Sequence, residues 1–66
     1  MPSNTLQAVQ RRIEQGVNLV ETAKTYLMEE SIKYEHVHVD YFIRFGLLVM
    51  MLDTIIIEMN SLRDDI

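Results

Sequence analysis

Apolar and small residues recur along the N-terminal half of the chain in alternating steps of three and four positions. This spacing predicts a helix that packs one face against another helix. Charged and amide side chains fill most of the positions between them, which is typical of the solvated side of an amphipathic helix. Because Ser3 or Asn4 can serve as an N-cap, we predict a first helix over about residues 4–32. Its recurring positions are Leu6, Val9, Ile13, Gly16, Val20, Ala23 and Leu27.

The same alternation returns in the C-terminal half and runs to the last residue. It predicts a second helix over about residues 39–64. Asp40 stands at the start of this segment and is a suitable N-cap. The recurring positions are Tyr41, Phe45, Leu48, Leu52, Ile55, Met59, Leu62 and Ile66.

The segment between the two patterns, KYEHVHVDYF at residues 33–42, is rich in β-branched and aromatic residues, which are weak helix formers. We therefore predict a connector over about residues 33–38 and an antiparallel hairpin of two helices. The alternative is one long helix in a coiled coil, since no glycine or proline stands between Asn18 and Gly46 to mark a turn. The apolar register slips between the two halves, which favours the hairpin.

The predicted second helix is apolar on several sides. Two further stripes follow helical spacing. Phe42, Val49 and Ile56 lie beside the recurring positions, whereas Ile43, Met50 and Ile57 fall on the opposite side of the helix. A helix that is apolar nearly all round is normally buried, and the first helix can cover only one of its faces. The sequence thus predicts a further cover for the second helix.

A second copy of the chain is the simplest cover, because two hairpins related by a two-fold axis form a closed four-helix bundle. We therefore predict an all-α fold, a two-helix antiparallel hairpin that dimerises into a four-helix bundle. The expected dimer or partner interface comprises Tyr41, Phe42, Phe45, Leu48, Val49, Leu52, Ile55, Ile56 and Met59.

Small residues at two recurring positions of the first helix, Gly16 and Ala23, predict a close-packed seam. Glycine inside a helix costs about 1 kcal/mol relative to alanine. We therefore expect Gly16 to admit a bulky neighbour, with Phe45, Leu48 and Met51 as the candidates.

Charged residues add two expectations. Asp53 lies within the most apolar segment, and an unpaired buried charge is costly. Gly46 and Asn60 flank it at helical spacing, so we expect a narrow polar strip on the exposed edge of the second helix. Lys24 and Lys33 are expected to pair with glutamates of their own helix.

Length and composition limit the class of protein. Sixty-six residues allow one domain, residues 1–66, and chains of this size usually need disulfides, a metal or a partner. The absence of cysteine excludes disulfides and thiolate metal sites. A net charge of −4 without a basic face argues against a nucleic-acid partner. The most apolar run, residues 46–57, contains Asp53 and is too short to span a bilayer. We expect a cytoplasmic protein that does not contact membranes.

One cluster resembles a set of metal ligands. On a β-strand His36, His38 and Asp40 would share one face, and His-x-His pairs occur at zinc sites. Because no second strand is predicted, we favour a partly extended hinge that tucks Val37 and Val39 under the helix ends. The three residues remain weak metal candidates, and the histidines could form a pH-sensitive hinge.

The sequence carries no motif diagnostic of a family, no nucleophile with a neighbouring base and no phosphate-binding loop. We therefore expect no enzyme and no cofactor. The expected function is that of a small protein–protein interaction module, a regulator, antagonist or adaptor, which acts as a homodimer and binds an unidentified protein. The alternative is a subunit of a heteromeric complex, such as a small secretion-type co-chaperone, whose second helix a different protein covers. A third possibility is a metal or pH sensor built on the two histidines.

Overall fold

The structure is a hairpin of two helices. The computed structural model describes residues 2–66, with side chains from Thr5 onward. Helix α1 spans Pro2–Ile32 and helix α2 spans Val39–Asp65, and the two lie antiparallel against each other. The described residues form no β-strand. The predicted all-helical hairpin is confirmed, and the single long helix is wrong.

The N-caps differ from those predicted, whereas α2 begins at the predicted residue. Helix α1 begins at Pro2, so Ser3 and Asn4 lie inside its first turn instead of capping it. Proline suits this position because its fixed φ matches the helix and its missing N–H would have had no partner there. Helix α2 follows His38, whose backbone is extended (φ −135°, ψ 91°) and whose side chain makes no capping hydrogen bond. The predicted cap, Asp40, lies in the first turn, where its charge interacts favourably with the helix dipole.

The connector is a series of tight turns that extends α1 before the chain reverses. The backbone N–H groups of residues 33–35 donate to carbonyls three residues earlier, over 3.0–3.4 Å, as in a 3₁₀ helix. The carbonyl of Tyr34 then accepts hydrogen bonds from the backbone N–H groups of Val37 and His38. Val37 and Val39 are both exposed, so the expectation that they tuck under the helix ends is wrong.

In each helix, the row of residues that packs against the other helix is rotated about the helix axis relative to the predicted stripe. In α1 the buried and half-buried residues at this spacing are Gln10, Ile13, Val17, Val20, Lys24, Leu27 and Ser31, and Tyr34 of the connector continues the row. In α2 they are Phe45, Val49, Leu52, Ile56, Met59 and Arg63, and Ile66 follows directly after the helix. Alternate members of each predicted stripe therefore pack inside the hairpin, except Leu6, which is 47% exposed, and the members between them lie along its side.

The hairpin encloses almost no core. Of residues 5–66, only Val17 is buried, with 5% of its surface exposed. The molecule measures 55 × 15 × 9 Å and its radius of gyration is 15.7 Å, whereas a compact chain of this length would have about 11 Å. Because two helices side by side cannot surround an apolar side chain, no residue of α2 is buried.

Candidate interaction surface

Polar contacts between the helices mark one long edge of the hairpin. Lys24 Nζ lies 2.6 Å from Asp53 Oδ1, and the Gln10 side-chain amide donates to the Arg63 carbonyl oxygen over 3.2 Å. Asp53 is thus paired across the helices and does not lie on a free polar strip. Lys24 reaches α2 instead of pairing with a glutamate of its own helix. Near the second contact, a shallow polar depression of about 280 Å³ is lined by Gln7, Gln10, Arg11, Glu14, Arg63 and Asp64.

Gly16 lies on the opposite edge, where the helices approach closely. A Cβ atom at this position would lie 2.9 Å from Met59 Cε. Glycine therefore lets the methionine side chain lie directly against the α1 backbone. The close approach occurs at the predicted glycine, but the neighbour is Met59 and not Phe45, Leu48 or Met51. In the antiparallel pairing Met59 is level with Gly16, whereas the three expected neighbours lie nearer the connector.

Tyr34 joins the two helices at the connector end. Its ring stacks on Phe45, with centroids 5.6 Å apart and planes at 18°, and it meets Tyr41 edge to face at 5.7 Å. The His38 ring lies 6.3 Å from Tyr34 and 5.3 Å from Tyr41. The place of Tyr34 at the centre of an aromatic cluster was not predicted from the sequence.

A continuous apolar surface runs along the Gly16 edge. On α2 it contains every seventh residue from Tyr41 to Leu62, and these side chains are 45–54% exposed. The contacts of Gly16 with Met59 and of Tyr34 with Tyr41 place the α1 part of this surface beside the α2 part. We call it the apolar face, and its members are Gly16, Ala23, Tyr41, Leu48, Ile55 and Leu62.

Two shallow depressions indent the α2 part of the apolar face. One, of about 180 Å³, is lined by Tyr41, Arg44, Phe45 and Leu48. The other, of about 430 Å³, is lined by Thr54, Ile55, Glu58, Met59 and Leu62. Each offers room for a side chain of a second helix, and each has one charged residue at its rim.

A second apolar surface lies on the other side of α2. Ile43, Met50 and Ile57 are 52–66% exposed and, at 100° per residue, point roughly opposite to Leu48 and Ile55. We call these three residues the outer stripe. The side of α1 nearest to the outer stripe is polar and carries several acidic and amide side chains, namely Gln10, Glu14, Asn18 and Glu21.

The nine predicted interface residues therefore divide into two groups. Five are half-buried against α1: Phe45, Val49, Leu52, Ile56 and Met59. Four are exposed: Tyr41, Phe42, Leu48 and Ile55. Of the predicted close-packing seam, Gly16 contacts Met59, whereas Ala23 is exposed on the apolar face.

The candidate metal ligands are not assembled. His36, His38 and Asp40 lie on a turn and a helix start rather than on a strand, so their side chains do not share one face. Among residues 5–66, no group of three His, Asp or Glu side chains is placed to hold a metal ion. His38 packs instead against aromatic rings of the connector cluster.

Neither helix, in the part of the chain that the structure describes, is long and apolar enough to cross a membrane. Comparison with protein families, characterised proteins and solved structures finds no significant match.

Proposed function

We propose that this protein is a small non-enzymatic protein–protein interaction module that acts as a homodimeric helical bundle. The observation that carries the proposal is that exposed members of the α1 stripe and of the α2 stripe lie on the same side of the hairpin, along the apolar face. In a four-helix bundle each helix points its apolar stripe at the bundle axis, which lies to one side of every neighbouring pair. The apolar face has this arrangement, and a second hairpin laid on it would complete a bundle.

The solvent-accessible surface area of the chain supports the burial of additional surface against a second copy. It amounts to 5315 Å², whereas a compact monomer of 7.8 kDa exposes about 4400 Å². The excess of about 900 Å², the first value minus the second, is close to the roughly 800 Å² that each partner buries in a standard interface. One interface of ordinary size would therefore give the chain the exposed area of a compact protein.

A dimer closed through the apolar face leaves the outer stripe uncovered, and this is the surface that we assign to the other protein partner. Ile43, Met50 and Ile57 lie at the helical spacing that accepts an amphipathic helix, and methionine adapts its shape to different partners. Glu14 and Glu21 of α1 lie toward the same edge, so the preferred partner is a helix with an apolar side and basic flanks.

Two isoleucines two positions apart allow a matched test. Ile55→Glu places a charge on the apolar face, whereas Ile57→Glu places the same charge on the outer stripe. Sedimentation equilibrium should show that Ile57→Glu stays dimeric while Ile55→Glu dissociates or fails to fold. If the wild-type chain is a folded monomer, or if Ile57→Glu is the variant that dissociates, the proposal is wrong. A wild-type chain that folds only with a different protein would support the heteromeric alternative.

A further inference from the structure

We infer that the two copies associate with their α2 helices antiparallel and with Met51 of each copy beside the two-fold axis. The inference rests on the proposed dimer and adds its orientation and register. It follows from the charges at the rim of the apolar face, the spacing of the apolar residues within it, and the polarity of the other side of the hairpin.

The rim of the apolar face on α2 is formed by Arg44, Met51 and Glu58, spaced seven residues apart. Arg44 and Glu58 are exposed, and neither forms an ion pair with any residue that the structure describes. Fourteen residues of helix separate them by about 21 Å, so they cannot pair with each other within one copy.

An antiparallel copy brings these charges together. A two-fold axis that crosses α2 at Met51 places Arg44 of one copy beside Glu58 of the second copy, and symmetry repeats the pair. A parallel arrangement would instead place Arg44 beside Arg44 and Glu58 beside Glu58, and such like-charge contacts are unfavourable. Charge complementarity therefore selects the antiparallel orientation.

The apolar residues fit the same axis. To within one residue, or about 1.5 Å along the helix, the axis places Leu48 level with Ile55 of the second copy. Tyr41 is then level with Leu62 of the second copy. Large side chains thus face each other from Tyr41 to Leu62. They can be buried without shifting either copy along the helix axis.

The outer stripe has a symmetric spacing too, since Ile43 and Ile57 are equally distant from Met50. Its surroundings argue against a second copy there, because Glu14 and Glu21 of α1 lie toward that edge and a second copy would have to bury these charged side chains. On the apolar face α1 presents Gly16 and Ala23, which are small and uncharged. The second copy therefore belongs on the apolar face.

Two adjacent methionines of similar exposure provide the test, because the chain contains no cysteine. Met51, which is 60% exposed, lies at the inferred axis, whereas Met50, 66% exposed, lies on the outer stripe. A short bis-maleimide crosslinker should convert Met51→Cys, but not Met50→Cys, into a covalent dimer at micromolar concentration. The mass of each variant is measured first by light scattering without crosslinker. A wild-type monomer would overturn both the proposed function and the register.

Charge reversal tests the register without a crosslinker. Arg44→Glu and Glu58→Arg should each raise the dimer dissociation constant on the order of tenfold, and the double variant should restore it to near the wild-type value. A wild-type dimer in which Met50→Cys crosslinks in preference to Met51→Cys, or in which the double reversal gives no recovery, would overturn the register. The proposed dimer would then stand with another orientation.

Discussion

Lys24 Nζ lies 2.6 Å from Asp53 Oδ1, and this is the one ion pair that joins the two helices among residues 5–66. The side chains are 29% and 49% exposed, so water screens the attraction but does not abolish it. The pair joins the two helices at one level along their length. Because it lies on the edge away from the apolar face, it places no charge on that face. The acid in the most apolar segment therefore has a structural partner.

Reversing this pair should separate its contribution from that of the surrounding packing. Lys24→Asp and Asp53→Lys are each expected to lower the free energy of unfolding by about 1 kcal/mol, because each places like charges side by side. The double variant should recover most of the loss, as measured by urea denaturation. Lys33→Glu is the control, since its pair with Glu30 lies within one turn and on the surface. Equal losses in the single and double variants would show that the pair contributes nothing.

The two glycines should respond differently to alanine. Nothing lies within 4 Å of a Cβ built on Gly46, so Gly46→Ala should stabilise the protein by about 0.5–1 kcal/mol through helix propensity alone. Gly16→Ala should gain less, because the new methyl group would push Met59 Cε away from a 2.9 Å contact. Urea denaturation of both variants gives the comparison. A larger gain at Gly16 than at Gly46 would mean that the close approach is not maintained in solution.

The aromatic cluster predicts an effect at the connector. Tyr34 contacts three rings, and Tyr34→Ala should therefore lower the free energy of unfolding by roughly 2 kcal/mol. Tyr26→Ala is the matched control, because Tyr26 is 63% exposed and should cost less than about 0.5 kcal/mol. Thermal unfolding followed by circular dichroism measures both. Similar losses in the two variants would contradict the role assigned to Tyr34.

The boundaries of the hairpin could be predicted from the sequence because they depend on local properties. The apolar stripes required two helices, and weak helix formers at residues 33–38 interrupted them. The N-caps could not be predicted from residue preference, since α1 already includes Pro2, which precedes Ser3 and Asn4. The residue at the N-cap of α2, His38, contributes ring contacts and no capping hydrogen bond.

The rotation of each helix about its own axis could not be predicted from spacing. A stripe with three- and four-residue steps fits a partner in the same chain and a partner in another chain equally well. Only the structure shows that Phe45 and Leu52 pack against α1 while Leu48 and Ile55 remain exposed. The Lys24–Asp53 pair was missed for a similar reason, because its members are 29 residues apart and meet only once the hairpin has formed.

A dimer couples folding to concentration, which gives a prediction that requires no variant. Because association stabilises only the folded state, the midpoint of thermal unfolding should rise by roughly 5–10 °C over a hundredfold increase in protein concentration. Circular dichroism at 222 nm measures it over the micromolar range. A midpoint that does not change with concentration would point to a folded monomer.

The molecular mass of the folded chain in solution tests the central claim most directly. Sedimentation equilibrium at about ten micromolar, on protein shown to be helical and cooperatively folded, should give twice the chain mass of 7.8 kDa. A folded, cooperative species with the mass of a single chain would show that the apolar face needs no second copy, and it would contradict the account.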